Sequence, residues 1–226
     1  MRQFCWLLPL SFLLALPPSL ASQQAPPTVA VLDFTAFSLT LEDAASVGKG
    51  VAGMMITELS GRPGLRVIER QQLQSLLQEQ KLVLSGRAEE QALQIGKLLG
   101  AQYVFTGNVA LTPKEARLDV RVTSVETSAI IRSDKLRGKP DDLLDMVVKI
   151  ADQFTNELKL EAPKRVTTAA IPLQATIAYS RGVDYEDKKQ FDKAAEMYRK
   201  ALELAPEYKD AKEGLERVTR AKGGQP

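Results

Sequence analysis

Three glycines spaced Gly48-x-Gly50-x-x-Gly53, with Glu69 downstream, spell a dinucleotide-binding loop. Its chemistry is anion binding: glycines let backbone N–H groups approach a pyrophosphate at a helix N-terminus, and the acid holds a ribose. Asp141, Asp142 and Asp145 form a second candidate, since three carboxylates within one turn suit a hard cation. Arg117, Asp119 and Arg121 alternate on a third stretch and read as a solvated strand face. The chain contains no histidine and one cysteine, Cys5. Histidine is the commonest general base and transition-metal ligand. Without it Ser–His and Cys–His nucleophiles cannot be built, and a zinc site lacks its usual donors. A carboxylate or Ser–Lys enzyme remains as a formal class, and no spacing argues for one.

The elements around these residues decide between the readings. "TVAVLDF" (28–34) reads as a buried first strand. Thr40-x-x-Asp43 reads as a capping box opening a helix over 41–60, with Ala44, Val47, Val51, Met55 and Leu59 inward. A strand follows at 65–69, then a polar helix from Arg70 with Leu73, Leu76 and Leu77 inward, a loop at 84–88, and a helix capped by Gly100 in the left-handed conformation. Three antiparallel strands come next, the middle one alternating Leu118, Val120 and Val122 with the charged set. A helix over 141–159 then buries Leu144, Val147, Val148, Ala151, Phe154 and Leu158. The fold class expected is α/β: a mixed sheet flanked by helices, followed by a small all-α unit.

A dinucleotide loop needs its first glycine at the strand end. Gly48 falls fourteen residues after Phe34, inside a helix already begun. The expectation is therefore no nucleotide cofactor. Three helix-interior glycines together cost about 3 kcal/mol relative to alanine, so they need a packing reason. Sheet contact supplies one for Gly48; Gly50 and Gly53 point to the close approach of another subunit. The three aspartates are read as first-turn acids behind Pro140, favoured by the helix dipole, with no metal.

"MRQFCWLLPLSFLLALPPSLAS" has Arg2, an apolar run and small residues at Ser19 and Ala21, the pattern of a signal peptide (1–21) cleaved after Ala21. Cys5 precedes the apolar run and cannot be the acylated residue of a lipoprotein. Formal charge is +2 and falls by one when Arg2 leaves; no basic block marks a nucleic-acid partner.

"VAVLDF" (29–34), "GLRVIERQQLQSLLQEQKL" (64–82), "AEEQALQIGKLLGAQYVFTGNV" (88–109) and "RVTSVETSAII" (121–131), in that order, resemble the CsgG-like family named for the curli production assembly/transport component. Relatives include LpoB-type activators of peptidoglycan synthases and FlgO-type flagellar proteins. The resemblance implies a non-enzymatic periplasmic or outer-membrane-associated assembly factor over 28–160, behind a short linker at 22–27. It also implies homo-oligomers through the α/β domain and outer-membrane association without a lipid anchor. A secretion channel component, a regulator of peptidoglycan synthesis and a carboxylate-based envelope hydrolase are the rival readings.

Residues 161–173, with Pro163 and Pro172, read as a linker. Beyond it Gly182, Tyr185, Ala194, Tyr198, Ala201 and Pro206 are similar to a tetratricopeptide repeat within 174–222, closed by a polar capping helix. One repeat cannot bury its apolar faces alone. It must dock on the α/β domain, pair with a second copy or fold against a partner. The resemblance places envelope protein partners on the concave side of the first helix, at Thr176, Tyr179, Val183 and Glu186, with Tyr185 and Ala194 as packing residues. Removing Tyr179 and Glu186 is accordingly expected to leave folding intact.

Overall fold

Val29 and Val31 face one buried layer, Ala30 and Leu32 the other, which is why the first strand is apolar at every position. The computed structural model describes residues 25–38, 41, 43–79, 88–161 and 170–223. The expected signal peptide, Thr40 and most of the 84–88 loop lie outside them.

Strands β1 (Thr28–Val31), β2 (Thr35–Ser38), β3 (Arg66–Val67), β4 (Tyr103–Leu111), β5 (Ala116–Ser124) and β6 (Ile130–Gly138) make one mixed sheet. Its order is β3-β1-β4-β5-β6, with β2 also on β4. β1 pairs in parallel with β3 and β4, and β2 with the second half of β4. β4, β5 and β6 are antiparallel, as expected. The expected single strand over 28–34 is corrected: the chain breaks at Leu32–Phe34 and resumes as β2. Gly107 of β4 makes the break possible, because a Cβ there would sit 2.9 Å from the Phe34 ring.

Helices cover both faces. α1 (Ala44–Ser60) and α4 (Leu143–Glu157) pack on Phe105, Val109, Leu118, Val120 and Val122. α2 (Arg70–Glu79) and α3 (Ala88–Leu98) cover Ala30, Leu32 and Val104 through Leu73, Ala92 and Ile95. Beyond that cover β5 turns Arg117, Asp119 and Arg121 outward. Arg117 pairs with Asp119 at 2.7 Å, and Arg121 pairs with Glu89. Gly100 takes φ +65°, the left-handed cap read from the sequence.

Two helix starts differ from expectation. α1 begins at Ala44, and Asp43 makes no side-chain cap bond. The 141–159 helix opens as a 3₁₀ turn (Pro140–Asp142) before α4. Asp142 accepts a hydrogen bond from the Lys139 N–H at 2.9 Å. Asp141 accepts one from the Leu173 N–H at 2.6 Å, satisfying a free donor of the next helix. Among the described residues no group of three or more acidic, His or Cys side chains is placed to hold a metal ion.

α5 (Leu173–Asp187), α6 (Phe191–Leu204) and α7 (Lys209–Gly223) form the all-α unit. Ile171 is buried, so the end of the expected linker is packed rather than free. Among the described residues no helix is long and apolar enough to cross a membrane.

Candidate functional site

α1 is buried on every side. Val47, Val51, Met55 and Leu59 face the sheet, while Gly50, Ala52, Gly53, Met54 and Ile56 are buried as well. A helix apolar all round needs cover all round, and α5 supplies the missing side. A Cβ at Gly48 would collide with the Phe34 carbonyl oxygen, so this glycine admits the sheet. A Cβ at Gly50 would lie 2.6 Å from Ser180 Cβ and 2.9 Å from Ser180 Cα; one at Gly53 would lie 2.6 Å from the Tyr179 hydroxyl. Gly50 and Gly53 therefore mark the close approach of the chain's own repeat. The glycines contact a strand end and a helix, with no helix N-terminus among them for a phosphate.

Three tyrosines fill the space around this seam. Tyr179 of α5 packs against Tyr198 of α6 at 5.8 Å between ring centroids and against Tyr208 at 5.2 Å. The Tyr208 hydroxyl lies 3.2 Å from Met54 Sδ on α1. Tyr198 is clamped between two glycines: Cβ atoms at Gly182 and Gly214 would come within 2.5 Å and 2.7 Å of its ring. Its hydroxyl donates to Glu186 Oε2 at 2.5 Å, and Arg217 donates two bonds of 3.0 Å to the same carboxylate. Burial holds all three tyrosine hydroxyls well above their usual pKa, so they stay neutral donors.

A charge network closes the rim. Arg70 at the start of α2 donates to both Asp187 oxygens, at 2.9 and 2.7 Å, and its Nη1 lies 2.7 Å from Asp33 Oδ1. Burial alone would lower the Arg70 pKa; the Asp33 and Asp187 carboxylates outweigh it and keep the guanidinium charged. Lys49 of α1 donates to Asp184 of α5 at 2.6 Å. Burial of Asp184 opposes ionisation, but hydrogen bonds from Lys188 and Lys49 win and lower its pKa. Separately, buried Arg62 ties the end of α1 to α4, donating to Asp152 at 2.7 Å and Thr155 at 2.8 Å.

The four residues expected to face a partner lie inside this assembly. Thr176, Tyr179 and Val183 are 1–2% exposed, and the Glu186 side chain is 11% exposed. Their expectation as an open concave surface is corrected: α1 occupies that side, and a partner reaches Tyr179 only by parting α5 from α1. Ala194 is buried between the helices as read, and Tyr185 is partly buried beside Lys193. Sequence reasoning missed Tyr208 and Gly214. Tyr208, Ala211, Gly214 and Val218 recur at helical spacing, and that stripe was the available signal.

Asp210, at the start of α7, is buried against α1. Burial lifts its pKa to about 7; Glu58 and Glu213 add to the rise, and a Thr57 hydrogen bond opposes it. An unfolded aspartate ionises near 3.9, so the unfolded chain sheds this proton first as pH rises. The contribution of Asp210 to stability is greatest below about pH 4, falls as pH climbs to about 7 and is level above. Between pH 5 and pH 8 the loss is on the order of 2–3 kcal/mol. With no histidine in the chain, little else titrates in that window. Urea melts of Asp210→Asn are expected to lose this slope and to exceed the parent's stability at pH 8.

The arrangement defines a class of protein: an α/β domain whose central helix is shared with a packed helical repeat. Comparisons place it more closely. Residues 17–119 match the family model described as curli production assembly/transport component CsgG, and residues 175–208 match the tetratricopeptide repeat. The chain is thus similar to the CsgG family over 17–119 and to one tetratricopeptide repeat over 175–208. A comparison with curated proteins found no match. Similar solved structures include the LpoB C-terminal domain from Salmonella enterica, at 19% identity and TM-score 0.40 over 53% of this chain and 87% of that one. Lipoprotein GNA1162 from Neisseria meningitidis is 16% identical, TM-score 0.43, over 59% and 99%. A PelC dodecamer from Paraburkholderia phytofirmans is 14% identical, TM-score 0.37, over 61% and 91%.

Proposed function

We propose that this protein is a non-enzymatic assembly or scaffolding factor of the cell envelope, exported to the periplasm and acting through protein–protein contacts. The observation that carries the reading is the shared helix. α1 is at once the floor of the sheet core and the filling of the repeat's concave side. A repeat fixed this way presents its outer faces in a set orientation to the α/β domain, as a bridging protein requires. Thr176, Tyr179, Val183 and Glu186 then serve to hold α1, and partner contacts fall on surfaces left open. The two matched families, an assembly/transport component and an interaction repeat, agree with such a role.

The test uses the exported full chain in its native envelope, with photo-crosslinkers at exposed positions such as Phe37 and Leu204. Discrete crosslinked proteins are expected, with no conductance in planar bilayers and no turnover of cell-wall fragments. Conductance would make it a channel component, and turnover an enzyme.

A further inference from the structure

β6 lies at one margin of the sheet, with β5 on one side and, among the described residues, no strand on the other. The alternation of hydrogen bonds says which residues face the open side. The Val125 N–H donates to Gln102 and the Thr112 N–H to Glu115, each at 2.9 Å, so the odd-numbered residues of β5 bond to β4 and the even-numbered ones to β6. Val120 sits opposite Asp134, and Leu118 opposite Leu136. Asp134 and Leu136 therefore direct their main-chain groups to β5. Ser133, Lys135 and Arg137 turn theirs outward, and among the described residues no hydrogen bond reaches them.

An open edge is a template for another strand, and folded proteins usually guard it with proline, charge or a short length. β6 has nine residues and no proline, and its one irregularity is the bulge against Val122 and Thr123. Its charges decide what fits beside it. Arg132 and Asp134 share the face toward α4, and Arg132 forks onto Asp134, Nε to Oδ2 at 2.6 Å and Nη2 to Oδ1 at 2.8 Å. Two copies related by a twofold axis would pair their β6 strands antiparallel, each giving the other the same surface. Outward groups must meet outward groups, so odd residues face odd ones, and three central registers remain. An axis at Asp134 sets the two Asp134 carboxylates against each other. An axis at Lys135 does the same with two ammonium groups. An axis at Ser133 sets Arg132 of each copy opposite Asp134 of the other, twice. Opposite charges across a strand pair stabilise it and like charges oppose it. These positions are also the non-hydrogen-bonded ones, where side chains stand closest. In the same register Ile131, 38% exposed, falls against the aliphatic stem of the other copy's Lys135.

We infer that the protein forms a twofold dimer through β6, paired antiparallel about Ser133, so that one sheet runs through both copies and Arg132 and Asp134 exchange partners across the seam. The self-complementary Arg-x-Asp pair is what selects a second copy over an unrelated extended segment.

The test is sedimentation velocity of the exported full chain from micromolar to millimolar protein, where a concentration-dependent dimer is expected. Ser133→Pro keeps every bond to β5, because the lost N–H points outward. It should stay monomeric throughout, with the parent's melting curve. Asp134→Arg should weaken the dimer at least tenfold by setting arginine against arginine, and adding Arg132→Asp should restore it. On oxidation Ser133→Cys should give a covalent dimer. Lys135→Cys should not, since its two copies lie four residues apart along the seam, roughly 13 Å. A monomer at every concentration, a Ser133→Pro protein that still dimerises, or crosslinking at Lys135→Cys in place of Ser133→Cys overturns the inference. So does a ring or a longer assembly, because joining β6 to β6 uses the edge of both copies and closes.

Discussion

Replacing Tyr179 by alanine is expected to lower the stability of the whole chain by about 3–5 kcal/mol, the range for emptying a buried aromatic site. Tyr179 touches Tyr198 and Tyr208, and its hydroxyl sits where a Gly53 side chain would be. Its loss therefore opens a cavity facing α1, α6 and α7 together, with no neighbour free to collapse into it. Had the residue lain on an open concave surface, the change would be within about 0.5 kcal/mol. Urea unfolding followed by circular dichroism separates the two outcomes. Tyr179→Phe should retain most of the stability, because the ring carries the packing.

Arg70→Ala is expected to cost a similar amount, about 3–5 kcal/mol, by a different mechanism. The guanidinium side chain is 13% exposed, and those of its partners Asp33 and Asp187 are 19% and 8% exposed. Removing the cation leaves Asp33 largely out of water with no ion-pair partner and Asp187 with Lys49 alone, at 3.5 Å, which is costlier than never having had the pair. The loss should shrink when Asp187→Asn is added, since one of the stranded charges is then gone. A double variant no more stable than Arg70→Ala would show that the pairing carries no energy. Hydrogen exchange should register the break at the end of α5 and the start of α2, the two segments that Arg70 joins.

The sequence made the sheet legible where its periods were local. β4, β5 and β6 announced themselves by alternation and short connections, and α4 by its apolar stripe. β2 was missed because Thr35–Ser38 takes its strand character from pairing with Asn108–Leu111, far along the chain; "TAFS" says little by itself. The glycine stretch showed that something came close to α1, yet the partner, Ser180, lies 130 residues away, and no local pattern names it. The all-round apolar character of Val51, Ala52, Met54 and Ile56 was a readable sign that this helix lay between two layers. The repeat's consensus positions proved reliable for packing at Ala194 and Tyr198. The same consensus misled on Tyr179 and Thr176, because it describes arrays whose concave side is open. A single repeat has too little apolar cover of its own, and here the chain covers it with its own helix.

The most direct test of the shared-helix seam is the stability of Gly50→Ala. A glycine inside a helix with free space around it gains about 1 kcal/mol on this change. At the seam the new methyl group meets Ser180 on α5, with its Cβ and Cα only 2.6 and 2.9 Å away. The account predicts a net loss of about 1–3 kcal/mol, as for other overpacked interiors, partly recovered when Ser180→Gly is added. A Gly50→Ala protein more stable than its parent would contradict it.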